Sequence, residues 1–187
     1  MGSRIIYKHE PANRFVVGTV GVPGERAFFL QISSVFGLTS VAVEKTQVLA
    51  LAERLNELIA EVRRGQLASL DELGLAKEVD NAPLEFPIDE DFRAGIMAIA
   101  WDSARNLIAI EIQGLGDEYI EEIVPEDEID IEDAPDLVKF TIRIYQARGF
   151  IERAKSLVNS GRQPCPFCAL PIDQNGHLCP RSNGYRR

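Results

Sequence analysis

The chain has 187 residues and a mass of 20.8 kDa, with 45% hydrophobic and 26% charged residues, the profile of an ordinary soluble protein with room for one core and a small appendix. No apolar run approaches the roughly 20 residues that cross a membrane, and the first ten residues have no apolar stretch of the kind that marks a signal peptide. The net charge of −9 argues against a nucleic-acid partner only if the charge is evenly spread, and it is not.

Phe15 to Val22 and Ala27 to Ile32 are apolar, β-branched or aromatic runs separated by Pro23-Gly24, a type II turn signal, and Thr39 to Glu44 reads as a third strand. A helix follows from about Gln47 to Arg64, with Val48, Leu51, Leu55, Leu58 and Val62 on one face and Gly65 as its stop. Gly18, Gly21 and Gly24 are spaced by threes, but no Lys-Ser/Thr follows, so they belong to a hairpin and not to a phosphate loop. Residues 66–91, with Pro83 and Pro87, form a linker with a short helix near Leu70 to Leu75.

Beyond the linker the order repeats. Arg93 to Trp101 and Asn106 to Gln113 make a hairpin around Asp102-Ser-Ala-Arg, Leu137 to Phe140 is a strand, and Thr141 is placed to cap a helix that ends at Gly161. A shift of 96 positions carries the first apolar stripe onto Ile144, Ala147, Ile151, Ala154 and Val158, whereas the hairpins match at 77, from Phe15 and Gly18 to Phe92 and Gly95. The difference of 19 approximates the length of an acidic segment. These matches predict an α+β fold of duplicated β-β-β-α units. They form a mostly antiparallel sheet of about six strands with two long helices, in a body spanning 1–160 whose halves are 1–65 and 92–160. The alternative is chance likeness between two amphipathic helices.

Residues 114–136 hold that segment: eleven acids, including Asp117, Glu122, Asp127 and Asp133, and no Lys or Arg. Without them the chain moves from −9 to +2. Their spacing lacks the alternating Asp pattern of a calcium loop, which favours solvated acid. Residues 161–187 carry Arg162, Arg181, Arg186 and Arg187 against Asp173, for a formal +3. A near-neutral body thus bears an acidic insert and a basic end.

That end contains every cysteine. Cys165-Pro-Phe-Cys168 is a knuckle, and His177 and Cys179, two apart on an extended segment, face one way, while Asn175-Gly176 lets the second pair fold back. Three thiols and an imidazole within fifteen residues predict one structural Zn²⁺ held by Cys165, Cys168, His177 and Cys179 in a small knuckle or ribbon. A redox Cys-x-x-Cys pair is the competing reading, weakened by the flanking prolines. With the thiols committed to metal there is no disulfide framework, which fits a cytoplasmic protein. His9, before Glu10-Pro11, reads as a lone surface histidine, and Trp101 and Tyr119 are candidates for stacking a base or ligand.

The stretches Phe15-Val-Val-Gly-Thr-Val-Gly-Val-Pro-Gly-Glu-Arg, Phe28-Phe-Leu-Gln and Met97-Ala-Ile-Ala-Trp, with the end from Cys165-Pro-Phe-Cys to Asn183-Gly-Tyr-Arg-Arg, resemble an uncharacterised actinobacterial family known only as a domain of unknown function. The likeness covers nearly the whole chain. Ala169 departs from the Gly expected after the second knuckle cysteine, and the acidic insert is longer than the family pattern implies. The resemblance implies genomic proximity to a phosphatase of the phosphoglycerate-mutase type and a kinase-like protein, and it supplies no catalytic residues.

Two functions follow. The first is a non-catalytic adaptor whose zinc-organised end, through Arg162, Arg181, Arg186 and Arg187, docks on an anionic partner such as nucleic acid, a phosphorylated ligand or an acidic protein surface. A zinc with four protein ligands has no open position for water, and no paired base and nucleophile is evident. The second is an enzyme acting on a phosphorylated small molecule in a pocket between the halves.

Overall fold

The computed structural model describes residues 4–22, 25–68, 73, 79–116, 122–125, 134–160, 165–168, 172, 179 and 181. Strands β1 (Ile6–His9), β2 (Arg14–Val20), β3 (Ala27–Ser34) and β4 (Gly37–Val43) precede helix α1 (Lys45–Arg64); β5 (Phe92–Asp102), β6 (Leu107–Gly114) and β7 (Leu137–Ile142) precede helix α2 (Ile144–Asn159). The strands form one sheet in the order β1-β7-β6-β5-β4-β3-β2, antiparallel except at β1–β7 and β4–β5. The fold is thus α+β and mostly antiparallel, as the sequence predicts, with one strand more.

Alternation along the strands decides which face is buried. Phe15 and Val17, Leu30 and Ile32, Val41 and Val43, Ile108 to Ile112 at every second position, and Val138, Phe140 and Ile142 share one core with the stripes of both helices. Phe15 of the first half stacks on Phe150 of α2 at 4.2 Å and packs against Phe140 of β7 at 4.8 Å. The halves therefore share a single core.

β1 and β2 lie at opposite ends of the sheet yet are joined by residues 10–13 alone. Laid flat, the sheet would separate them by about 29 Å, beyond the roughly 18 Å that the connection can span. The sheet therefore curls until its ends meet. The Ala12 N–H donates to Thr141 O of β7 (2.9 Å), and the Asn13 N–H donates to Ser33 O of β3 (2.8 Å).

This closure accounts for the additional strand, β1. The start of β5 pairs with β4 and the rest with β6, with an irregularity between Ala94 and Met97. In the other half β1 pairs with β7 and β2 with β3, so β1 and β2 together take the place of β5. Four residues, Ile-Tyr-Lys-His, are too few to show a periodic signal.

The repeat is present at a corrected offset. Val41 and Val43 match Phe140 and Ile142, and Val48, Leu51, Ala52, Leu55 and Ile59 match Ala147, Phe150, Ile151, Ala154 and Val158, all at 99 positions. The expected 96 differs by three residues, nearly one turn, which preserves an apolar stripe and so escapes detection by periodicity. The register pair Ile32–Thr39 corresponds to Ile112–Val138, which sets the β3-to-β6 offset at 80. The surplus of 19 falls between β6 and β7, where the acidic segment runs.

Both helices start by one device. Gln47 Oε1 accepts the Glu44 N–H and Gln146 Oε1 accepts the Arg143 N–H, each at 2.8 Å. Their amides reach equivalent points of the sheet, Gln47 Nε2 donating to Ala94 O of β5 (3.0 Å) and Gln146 Nε2 to Ala12 O in the β1–β2 connection (3.2 Å). Arg143, and not Thr141, is therefore the N-cap of α2: Thr141 still belongs to β7, and its buried hydroxyl has no partner among the described residues. Gly65 caps α1 as expected, its N–H bonding Glu61 O at 2.8 Å. α2 closes on Ser160, while Gly161 lies outside the described residues, as do Pro23, Gly24 and, apart from Leu73, the expected short helix.

The linker returns along the outer face of the first half. Leu84 seats against Val16, Phe29 and Ala42 in a notch that exists because residue 18 is glycine; a Cβ there would overlap the Leu84 side chain. Gln31, buried, donates to Glu85 O (2.9 Å) and accepts the Glu85 N–H (2.7 Å), fixing the segment like a short extra strand.

Candidate metal centre

Cys165, Cys168 and Cys179 converge. Their sulfurs lie within 4.8 Å of one another, with Cys165 Sγ 3.7 Å from Cys179 Sγ. Two thiolates on a tetrahedral zinc with Zn–S bonds of about 2.3 Å stand roughly 3.8 Å apart, whereas a disulfide needs about 2.05 Å. None of the three cysteines is in a disulfide. The separation of Cys165 and Cys179 is that of two ligands sharing one ion. The three can hold a metal ion, and their sulfur donors suit a soft or borderline one.

Local structure prepares the thiolates. Residues 166–168 turn, and the Phe167 N–H points at Cys165 Sγ at 3.4 Å. Burial pushes the Cys165 thiol up, but the N–H groups of Cys168 and Phe167 and the side chains of Cys168 and Cys179 outweigh it, so its pKa falls. Cys165 and Cys179 are buried and Cys168 is half-buried, while Phe167 at the tip of the turn is 61% exposed. Arg181 folds back over the turn, Nη1 donating to Phe167 O at 3.1 Å. One of the four predicted arginines thus stands beside the cysteines. Arg162, Arg186 and Arg187 lie outside the described residues, as does His177.

The remaining candidates resolve differently. His9 is 3% exposed, with Nδ1 2.8 Å from Ser34 Oγ and Nε2 2.8 Å from Thr39 Oγ1. It is not a surface residue, because closure of the sheet carries the end of β1 onto the β3–β4 hairpin. Burial lowers its pKa, with Asp91 opposing, so the ring is neutral near pH 7. Trp101 packs against the core, its Nε1 buried and without a partner among the described residues. Tyr119 and most of the acidic segment lie outside those residues. Gly18 and Gly21 belong to the β2–β3 hairpin.

Sequence reasoning missed a second feature, a cleft of about 430 Å³ where β2 of the first half, α2 of the second and linker residues 79–81 meet. Arg14 on β2 contacts Asp80 with Nε at 2.5 Å and Nη2 at 3.3 Å, and Arg153 on α2 reaches Asp80 Oδ1 at 3.6 Å. Arg153 also donates to Val17 O on the free edge of β2 (2.5 Å), to Ala82 O (2.8 Å) and to Asp80 O. The Arg14 guanidinium holds Asp80 below the ordinary carboxylate range. No motif announces this grouping, because its members come from three distant segments.

A curled α+β sheet carrying two equivalently capped helices, with three convergent cysteines near its end, defines a class of protein by structure and not by activity. A family model described as a protein of unknown function (DUF3090) matches residues 7–179, and the chain belongs to that family. The match takes in all three cysteines. No curated protein and no solved structure matches the chain. No described helix is long and apolar enough to cross a membrane.

Proposed function

We propose that this protein is a non-catalytic adaptor whose basic C-terminal end is organised by one structural zinc and docks on an anionic partner. The convergence of Cys165, Cys168 and Cys179, with two sulfurs at 3.7 Å, carries the reading. His177 supplies the fourth ligand. Three thiolates and a neutral imidazole leave the filled site at −1, which Arg181 beside it offsets. Zinc so enclosed orders the chain around it and leaves Arg162, Arg181, Arg186 and Arg187 on a fixed frame.

An affinity pull-down from the native cytoplasm, with the full chain and with a chain lacking residues 161–187, tests the adaptor role. Partners are expected with the first and not with the second, and recovery of the same partners by both would remove the reading. On a recovered partner, replacing Arg181, Arg186 and Arg187 with Ala is expected to weaken binding. The slope of log affinity against log salt should fall by about one for each phosphate that is no longer neutralised.

The cleft between the halves favours the second reading, an enzyme acting on a phosphorylated small molecule. Its carboxylate, Asp80, is held ionised by Arg14, which suits binding more than proton transfer near neutral pH. The adaptor reading is therefore preferred.

A further inference from the structure

The cleft at the junction of β2, α2 and the linker has the dimensions and chemistry of a ligand site that is independent of the metal centre. Its volume of about 430 Å³ falls within the range of small-molecule pockets. Phe15 and Phe150, stacked on each other and 5% and 2% exposed, give it an apolar wall. Arg14 and Arg153 converge beside that wall, and Asn13, Asn81 and Tyr145 add polar side chains to the lining.

The equivalent position in the other half shows that this grouping is not a by-product of the repeat. Arg153 corresponds, at the 99-residue offset, to Arg54. Arg54 is half-exposed and pairs with Glu57 and Glu61 on its own helix. Arg153 instead has a side chain only 12% exposed and points at the edge of β2, with Asp80 as its carboxylate partner. Both guanidiniums are held by carboxylates of the linker: Arg14 pairs with Asp80 and, at 3.2 Å, with Glu85, and Arg153 pairs with Asp80. The Asp80 carboxylate is itself 35% exposed and belongs to the linker, not to either half. It occupies the place that an external carboxylate or phosphate would take against the fork of Arg14.

We propose that this cleft binds a small molecule carrying a carboxylate or phosphate on a small apolar body, with Arg14 and Arg153 gripping the anionic group in place of the Asp80 side chain. The apolar body lies against the small accessible parts of Phe15 and Phe150. Asp80 is an internal competitor that keeps the two arginines together when the ligand is absent.

Benzoate and phenyl phosphate separate the two anion chemistries, and benzyl alcohol supplies the body without a charge. Titrated at millimolar concentration into the ¹⁵N-labelled full chain, at least one of the anions is expected to shift the amide resonances of Phe15, Asp80 and Gly149, and benzyl alcohol is not. Asp80→Asn removes the competing charge and should tighten binding roughly tenfold, the scale of one charge-assisted hydrogen bond. Arg153→Gln should abolish it. If that variant also releases the linker, Gly149→Leu, which fills the cleft and leaves the linker's own hydrogen bonds in place, must abolish binding instead. The proposal is overturned if neither anion binds, if benzyl alcohol binds as well as the anions, if Asp80→Asn leaves affinity unchanged, or if Gly149→Leu binds like the parent chain.

Discussion

The sheet-and-helix body and the cysteine end differ in what they bury. In the body, residues such as Phe140, Phe150, Leu30 and Ile110 are buried from both halves of the chain, and two helices close over them. Around the turn at residues 165–168, the buried side chains among the described residues are Cys165 and Cys179, and the aromatic ring there, Phe167, faces outward. Burial of a large apolar side chain stabilises by about 1.5–3 kcal/mol, and the cysteine end has no comparable ring to bury among the described residues. A structural zinc, with apparent binding energies of about 10–16 kcal/mol in small peptides, is of the size needed to order it. The body therefore depends on packing, and on the proposed zinc reading the end depends on coordination chemistry.

Metal removal should break the comparison most sharply. A strong chelator, or Cys165→Ser, Cys168→Ser or Cys179→Ser, is expected to make residues 161–187 protease-sensitive while the thermal transition of the body stays where it was. His177→Ala should weaken the metal less, because water can take the fourth position. A body that unfolds along with the end would show that the two are one cooperative unit.

The converse change attacks packing. Phe140→Ala removes a ring that is 1% exposed and touches Phe15, and it should cost about 3–5 kcal/mol in urea unfolding with zinc content unchanged. Smaller effects sharpen the internal repeat. Gln47→Ala and Gln146→Ala each remove a helix-start bond and a tether, to β5 and to the β1–β2 connection respectively, and each should cost about 1 kcal/mol. Unequal losses would show that the equivalence is geometric and not energetic.

The smallest effect is on pH dependence. His9 has a folded pKa below its unfolded value of about 6.5 because burial disfavours the charged ring. A lowered histidine contributes stability that is present above the unfolded pKa and is lost as pH falls below it toward the folded value. The urea midpoint should drop between pH 7 and pH 5 by more in the parent chain than in His9→Asn. Equal drops would mean that His9 stays neutral in both states.

The body and the cysteine cluster are legible in the sequence to different degrees. The α+β class, six of the seven strands and both helices follow from periods of two and 3.6, and the glycine stop at Gly65 follows from its position. The true repeat offset is hidden because a three-residue slip preserves a helical stripe, although Gln47 and Gln146, each just after a strand, mark it. The β1 strand and the burial of His9 depend on closure of the sheet, a long-range event with no local trace. The cysteine cluster is legible because its members are close in sequence. The cleft is not, since Arg14, Asp80 and Arg153 meet only after the halves join.

The metal itself is the most direct test. X-ray absorption at the zinc edge, on full-length protein prepared under reducing conditions, is predicted to show one zinc per chain with three sulfur neighbours at about 2.3 Å and one nitrogen at about 2.0–2.1 Å. A chain that retains no zinc, or a first shell of oxygen and nitrogen without sulfur, would contradict the account.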